Sequence, residues 1–120
     1  PRVKVHVHEN FAELLAAYPD APFFYASTKA PMSYAQAEYP RDVFLVFGRE
    51  SRGLPENLLE RVYDRCIRIP MIEGARSLNL SNSVAIVTYE ALRQHGFEHL
   101  LDHGALTGRD EEPGAWMDYL

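Results

Sequence analysis

Three short stretches hold most of the side chains that could bind or transform a ligand. Ser27, Thr28 and Lys29 follow one apolar run, Gly48-Arg49-Glu50-Ser51-Arg52-Gly53 follows a second, and residues 74–82, with Arg76, Ser77 and Asn79, follow a third. Hydroxyl and amide side chains compete with regular backbone pairing, so they favour loops and helix starts. Forked guanidinium groups suit phosphate, and Arg49, Arg52 and Arg76 would form a local basic patch. Glu50, close to Gly48, could orient a loop or a hydroxyl. Two plainer alternatives stay open. The arginines could be paired with Glu50, Glu56 or Glu73, and the Asn/Ser-rich stretch could simply start a helix.

Several chemistries are disfavoured. Gly48 and Gly53 lack the spacing of a dinucleotide-binding turn, Gly74 stands alone, and no G-K-[ST] phosphate loop is present, which speaks against nucleoside triphosphate hydrolysis. No histidine–serine–carboxylate grouping is legible, and His95 and His103 read as helix-end or tail residues. His6 and His8 share a face but have no third ligand nearby, so an exposed polar face is expected and no metal. The single cysteine, Cys66, reads as a small buried hydrophobe. It cannot form an internal disulfide, which favours a reducing compartment. The chain has 120 residues and a net charge of −5, so it exerts no global pull on nucleic acid. No run of about 18 apolar residues and no signal-peptide pattern is present, so neither a membrane span nor export is expected, and the expected location is cytoplasmic.

The elements that position these stretches follow from hydrophobic period and punctuation. Val3, Val5 and Val7 alternate with polar residues, the pattern of a half-buried strand. Asn10, with Glu13 three residues on, marks a helix start carrying the stripe Phe11, Leu14, Leu15 and Tyr18. Pro19 and Pro22 end it. Residues 23–26 make a short strand, 32–41 are left unassigned, and 43–47 are apolar throughout, as a strand covered on both faces would be. Pro55 fits the first position of a helix with Leu58, Leu59 and Val62 inside. Residues 66–69 form the next strand. The β-branched segment 83–89 reads as helix, because Ser81 and Asn82 suit its cap and Gly96 its end. Leu80, Val84, Val87 and Ala91 share a face of it, and burial on more than one side is expected.

Four strands alternating with helices predict an α/β domain with a mostly parallel sheet. The strands before 48–53 and 74–77 are expected to be neighbours. Three loops at one sheet edge would then form a cleft for a small nucleotide-like ligand. The domain is expected over 1–98 and an acidic tail over 99–120. Trp116, Tyr119 and Leu120 could dock that tail, although a disordered end is the plainer reading.

Two stretches go further. L-V-F-G-R-E-S-R-G-L-P (45–55) and R-I-P-M-I-E-G-A-R-S-L-N-L-S-N-S-V-A-I-V-T-Y-E-A (68–91) resemble the second and third signature motifs of the SpoU branch of the SPOUT superfamily. The resemblance runs from about Val3 to Phe97 and is strongest to the small tRNA 2′-O-methyltransferases of the wobble nucleotide, position 34. It implies a deep C-terminal trefoil knot and a homodimer whose active site combines both protomers. It also implies S-adenosylmethionine, with S-adenosylhomocysteine as product, held against Ala26, Gly48, Ile69, Ser77 and Leu78, with Tyr89 near the cofactor and the dimer contact. Glu50, Asn79 and Ser77 fall at the family's catalytic-pocket positions, and Arg49, Arg52 and Arg76 are candidates for tRNA phosphate. One departure matters: nothing in the chain matches the family's first strand and motif, a Gln-Pro-x-Ile-Pro-x-Asn-x-Gly-x-x-x-Arg-like stretch. Two alternatives stay open: a ribosomal RNA 2′-O-methyltransferase and, because that motif is absent, an inactive dimer that binds cofactor or RNA. Ribosomal enzymes usually carry an extra RNA-binding domain, so the small size favours tRNA.

Overall fold

The structure is a computed structural model that describes residues 3–74 and 78–108. Four parallel strands, β1 (Phe23–Ala26), β2 (Met32–Ser33), β3 (Phe44–Val46) and β4 (Cys66–Arg68), lie in the order β2-β4-β1-β3. Tyr25 sits opposite Val46 on one side and Cys66 on the other, so β1 is central. Helix α1 (Phe11–Ala17) precedes the sheet. Helix α2 (Glu56–Arg61) and a 3-10 turn (Tyr63–Arg65) link β3 to β4, and α3 (Leu80–Gln94) follows.

Alternation along the strands builds two cores. Phe23, Tyr25 and Cys66 are buried on one face with Leu59 and Val62, where Phe11, Leu14, Phe44 and Val46 pack against them. Ile67 is buried on the other face with Val87, Ala91, Ala37 and Tyr39, against which Phe24, Leu45 and Phe47 pack. The apolar run 43–47 is therefore shared between both faces, as its composition predicts. Cys66 is fully buried, its Sγ 3.3 Å from the Val62 carbonyl, and burial raises its thiol pKa.

Several expectations are corrected. Residues 3–7 form no strand, and Val3, Val5 and Val7 are at least 82% exposed. Alternation makes a strand only where a neighbour can pair, and none does so among the described residues. The short β2 lies in the unassigned stretch. Its two residues pair with Ile67 and Arg68, too short a contact to leave a periodic signal. The strands before the two glycine loops are not neighbours, because β1 lies between β3 and β4. Helix α2 starts one residue later than expected, with Pro55 as its cap.

The ends of α3 show why a β-branched segment becomes helix. Asn79, not Ser81 or Asn82, is the cap, its Oδ1 accepting from the Asn82 N–H at 2.8 Å. At the other end Gly96, at φ +72°, donates to the Arg93 carbonyl, and the Phe97 N–H reaches back to Leu92 at 3.0 Å. This paired closure satisfies carbonyls that would otherwise be orphaned. Only Val87 and Ala91 are buried on α3, so it is covered on one side and not on several.

Three carboxylates form surface ion pairs: Glu56 with Lys29 and Glu98 with Arg41 between elements, and Glu90 with Arg93 within α3. The hydrogen bond from each partner holds these carboxyls below their usual value of 4.5. A carboxyl lowered in the folded state stabilises above its unfolded pKa, and that contribution fades as pH falls through the folded value. The melting temperature should therefore be flat from about pH 8 to 5 and fall below about pH 4.5, with Glu56→Gln reducing the drop. Thermal melts followed by circular dichroism check this.

Candidate cofactor cleft

A cleft of about 250 Å³ opens at the carboxyl ends of β1, β3 and β4. Ala26, Ile67 and Ile69 line it from the strand ends, residues 27–29 and 48–54 from the loops, and Leu78, Leu80, Ser83 and Val87 from the entry and inner face of α3. The middle loop comes from β1, which explains how loops from non-adjacent strands meet.

Loop 48–53 is closed tightly by its own backbone. The Gly53 N–H donates to the Arg49 carbonyl at 2.7 Å, and Gly53 has φ +69°. A Cβ built on Gly48 would lie 2.2 Å from the Gly53 carbonyl carbon and 2.4 Å from the Leu54 nitrogen. Only glycine fits there. The spacing of Gly48 and Gly53 thus encodes a backbone crossing, which is why it matches no nucleotide fingerprint.

The β1 loop is fastened from outside. The Ser27 N–H donates to the Ile67 carbonyl at 2.9 Å, and Ser27 Oγ accepts from the Lys29 N–H at 3.0 Å. Arg68 donates to the Thr28 carbonyl at 3.0 Å and the Tyr63 hydroxyl to that of Lys29 at 2.9 Å. The Lys29 side chain pairs with Glu56, the first residue of α2, so it ties the β1 loop to the start of that helix.

The expected site residues divide clearly. Ala26, Gly48, Ile69 and Leu78 line the cleft together with Glu50, Arg49 and Arg52. Neither Arg49 nor Arg52 forms an ion pair among the described residues, and Glu56, one of their expected partners, is paired with Lys29. Asn79 is not in the lining, and its side-chain oxygen is occupied by the cap of α3. Asn79→Ala should cost about 1 kcal/mol, read as a lower urea midpoint. Tyr89 stands outside the cleft, 60% exposed, with its ring 6.4 Å from that of Phe97. Two residues of helix carry it roughly 200° round from the inward Val87. Ser77 and Arg76 lie outside the described residues.

Arg68, Met71 and Ser83 also line the cleft, although nothing in the sequence singled them out. Ser83 could have been found by spacing, since Leu80, Ser83 and Val87 follow at i, i+3 and i+7. Its hydroxyl hides that spacing, because the neighbouring Val84 is apolar yet 38% exposed. Among the described residues no group of three or more His, Cys, Asp or Glu converges as metal ligands. His8 bonds Glu13 instead.

A parallel α/β sheet with its cleft built by loops at the strands' carboxyl ends defines a small-ligand-binding α/β domain. A family model described as the SpoU rRNA methylase family matches residues 1–89. The chain belongs to the SpoU methylase family. A Bacillus subtilis (strain 168) relative, named provisionally as a tRNA (cytidine(34)-2′-O)-methyltransferase, is 44% identical over 101 residues, 82% of this chain and 63% of its own length. A solved structure concerned with 2-OH methylation of C/U34 on tRNA matches with a TM-score of 0.69 and 39% identity, over 76% of this chain and 59% of that one. The SpoU methyltransferase AviRb from Streptomyces viridochromogenes, solved with AdoMet, matches with a TM-score of 0.57 and 25% identity, over 72% of this chain and 34% of that one. The chain spans about three fifths of the length of the curated relatives it matches.

Proposed function

We propose that this chain holds S-adenosylmethionine in the loop cleft and serves 2′-O-methylation of the wobble nucleotide, position 34 (C or modified U), of tRNA. The observation that carries this reading is the convergence of Ala26, Gly48, Ile69 and Leu78 on one cleft. The lining fits the group: aliphatic strand ends suit a flat purine, and the backbone of the loops suits ribose hydroxyls. Ser77, next to Leu78 in the chain, completes the cofactor set.

The bound cofactor supplies an electrophilic methyl group, leaving S-adenosylhomocysteine. The chain's own contribution is positioning, which can supply much of the rate of such a transfer. Gly48 and Gly53 hold a backbone wall, and the aliphatic floor excludes water. Glu50 is the one carboxylate lining the cleft among the described residues, placed to orient a ribose hydroxyl. Ser77 and Asn79 act with it, Asn79 by fixing the start of α3. Arg49, Arg52 and Arg76 hold RNA phosphates.

The same reading includes a trefoil knot, in which 74–91 passes through the loop left by the second motif. Leu78, Leu80 and Ser83 sharing a cleft with 47–54 supports it. It also includes a homodimer. Tyr89, on the outer face of α3, is exposed apolar surface suited to a second copy and belongs to that contact. No helix among the described residues is long and apolar enough to cross a membrane, and with tRNA as substrate the place of work is the cytoplasm.

The test is incubation of the chain with methyl-labelled cofactor and bulk tRNA, followed by mapping of the label. Label on the ribose of nucleotide 34 is expected. A second reading is an inactive dimer that binds cofactor or RNA. Cofactor binding without label in any RNA would establish it, and label in ribosomal RNA alone would redirect the substrate assignment.

A further inference from the structure

A second groove, of about 630 Å³, adjoins the cofactor cleft. The two share Thr28, Arg68 and Met71. Its remaining lining is Ser33 and the loop 70–74. The volume lies within the range of about 300–1,000 Å³ typical of ligand sites, enough for a nucleotide.

Arg68 is the cation at the junction. It is the last residue of β4 and is half-buried, so its backbone is fixed by the sheet. Its Nη1 donates to the neutral Thr28 carbonyl at 3.0 Å. That bond uses one of five guanidinium donors. No carboxylate pairs with Arg68 among the described residues, although Glu73, the one acidic lining residue, lies in the exposed loop beyond Pro70. An arginine fixed by a neutral acceptor keeps its charge and its remaining donors for an anion.

We propose that this groove takes the RNA backbone next to the acceptor ribose, with Arg68 contacting a phosphate. The proposal rests on the methyltransferase reading. An acceptor ribose must reach the methyl group in the cleft, so the strand that carries it must cross the adjoining surface. The groove shares its wall with the cleft, and Arg68 is the charged side chain common to both. Phosphate contact there sets the position of the ribose without reading the base.

Binding of a fluorescent anticodon stem-loop RNA with cytidine at the wobble position tests this, measured by anisotropy without cofactor across a series of KCl concentrations. Removing one cation from a phosphate reduces the slope of log affinity against log salt by about one. Arg68→Ala should weaken binding roughly fivefold to tenfold at about 0.1 M salt and reduce the slope by about one. Arg68→Lys should restore the slope, because the slope counts charges and not loop order. Arg65→Ala removes the same charge elsewhere, since Arg65 lies over the Tyr25 ring at 5.9 Å and lines neither cavity; its slope should match wild type. The proposal is overturned if wild type binds no RNA, if Arg68→Ala keeps the wild-type slope, or if Arg65→Ala shifts it equally. Calorimetry with S-adenosylhomocysteine on the same samples separates the two readings. An Arg68-dependent slope with no cofactor heat overturns the cofactor reading alone, whereas cofactor heat with an Arg68-independent slope overturns the groove alone.

Discussion

Gly48→Ala is expected to abolish S-adenosylhomocysteine binding, measured by calorimetry, and to lower the melting temperature. The added methyl would meet the Gly53 carbonyl carbon at 2.2 Å and the Leu54 nitrogen at 2.4 Å, and both atoms are backbone. Neither can rotate away as a side chain could. Relief requires loop 48–53 to open, which breaks the 2.7 Å bond from Gly53 to Arg49 and moves one cleft wall. A clash of this kind is worth about 3 kcal/mol or more, against about 1 kcal/mol for ordinary loop substitutions. Gly53→Ala is the informative contrast. Gly53 has φ +69°, but a methyl added there would have nothing within 4 Å, so only backbone strain of about 1 kcal/mol applies. Binding should weaken there by roughly tenfold or less and persist.

Ile67→Ala should be the most destabilising core substitution that also reaches the site. Ile67 is 1% exposed, belongs to the core beneath α3 and lines the cleft. Truncating a buried isoleucine costs about 2–5 kcal/mol through lost transfer energy and the cavity left behind. Its neighbours across the sheet are fixed by pairing with Ala26 and Met32, so the gap cannot close easily. A urea titration should show a lower midpoint with an unchanged slope. Ile72→Ala, at a residue 85% exposed, should change stability by less than about 0.5 kcal/mol. If the two variants behaved alike, the assignment of the core would be wrong.

Much of this was legible because punctuation and period agree. The strand Phe23–Ala26 and the two-faced strand at Phe44–Val46 were marked by apolar runs between breakers. Helix α3 was readable against its β-branched propensity because Gly96 closes it. What could not be read depended on partners. The valines at 3, 5 and 7 carry a strand pattern, but pairing is a property of two segments. Strand order was missed for the same reason: period says that a segment is a strand, not what lies beside it. The cleft lining was legible in Gly48, Arg49 and Arg52, while Arg68 was hidden because a strand-end arginine reads as an ordinary surface charge until its bond to the β1 loop is seen. Asn79 shows the converse. The motif pointed to its pocket, and the fold uses its side chain to start the helix that lines it.

The most direct measurement is backbone hydrogen–deuterium exchange of the chain with and without S-adenosylhomocysteine. Added ligand should slow exchange at 26–29, at 47–54 and at 69–80, leaving α1 and residues 99–108 unchanged. Protection absent from these loops, or gathered on α1 and the opposite face of the sheet, would contradict a cofactor cleft at the carboxyl edge.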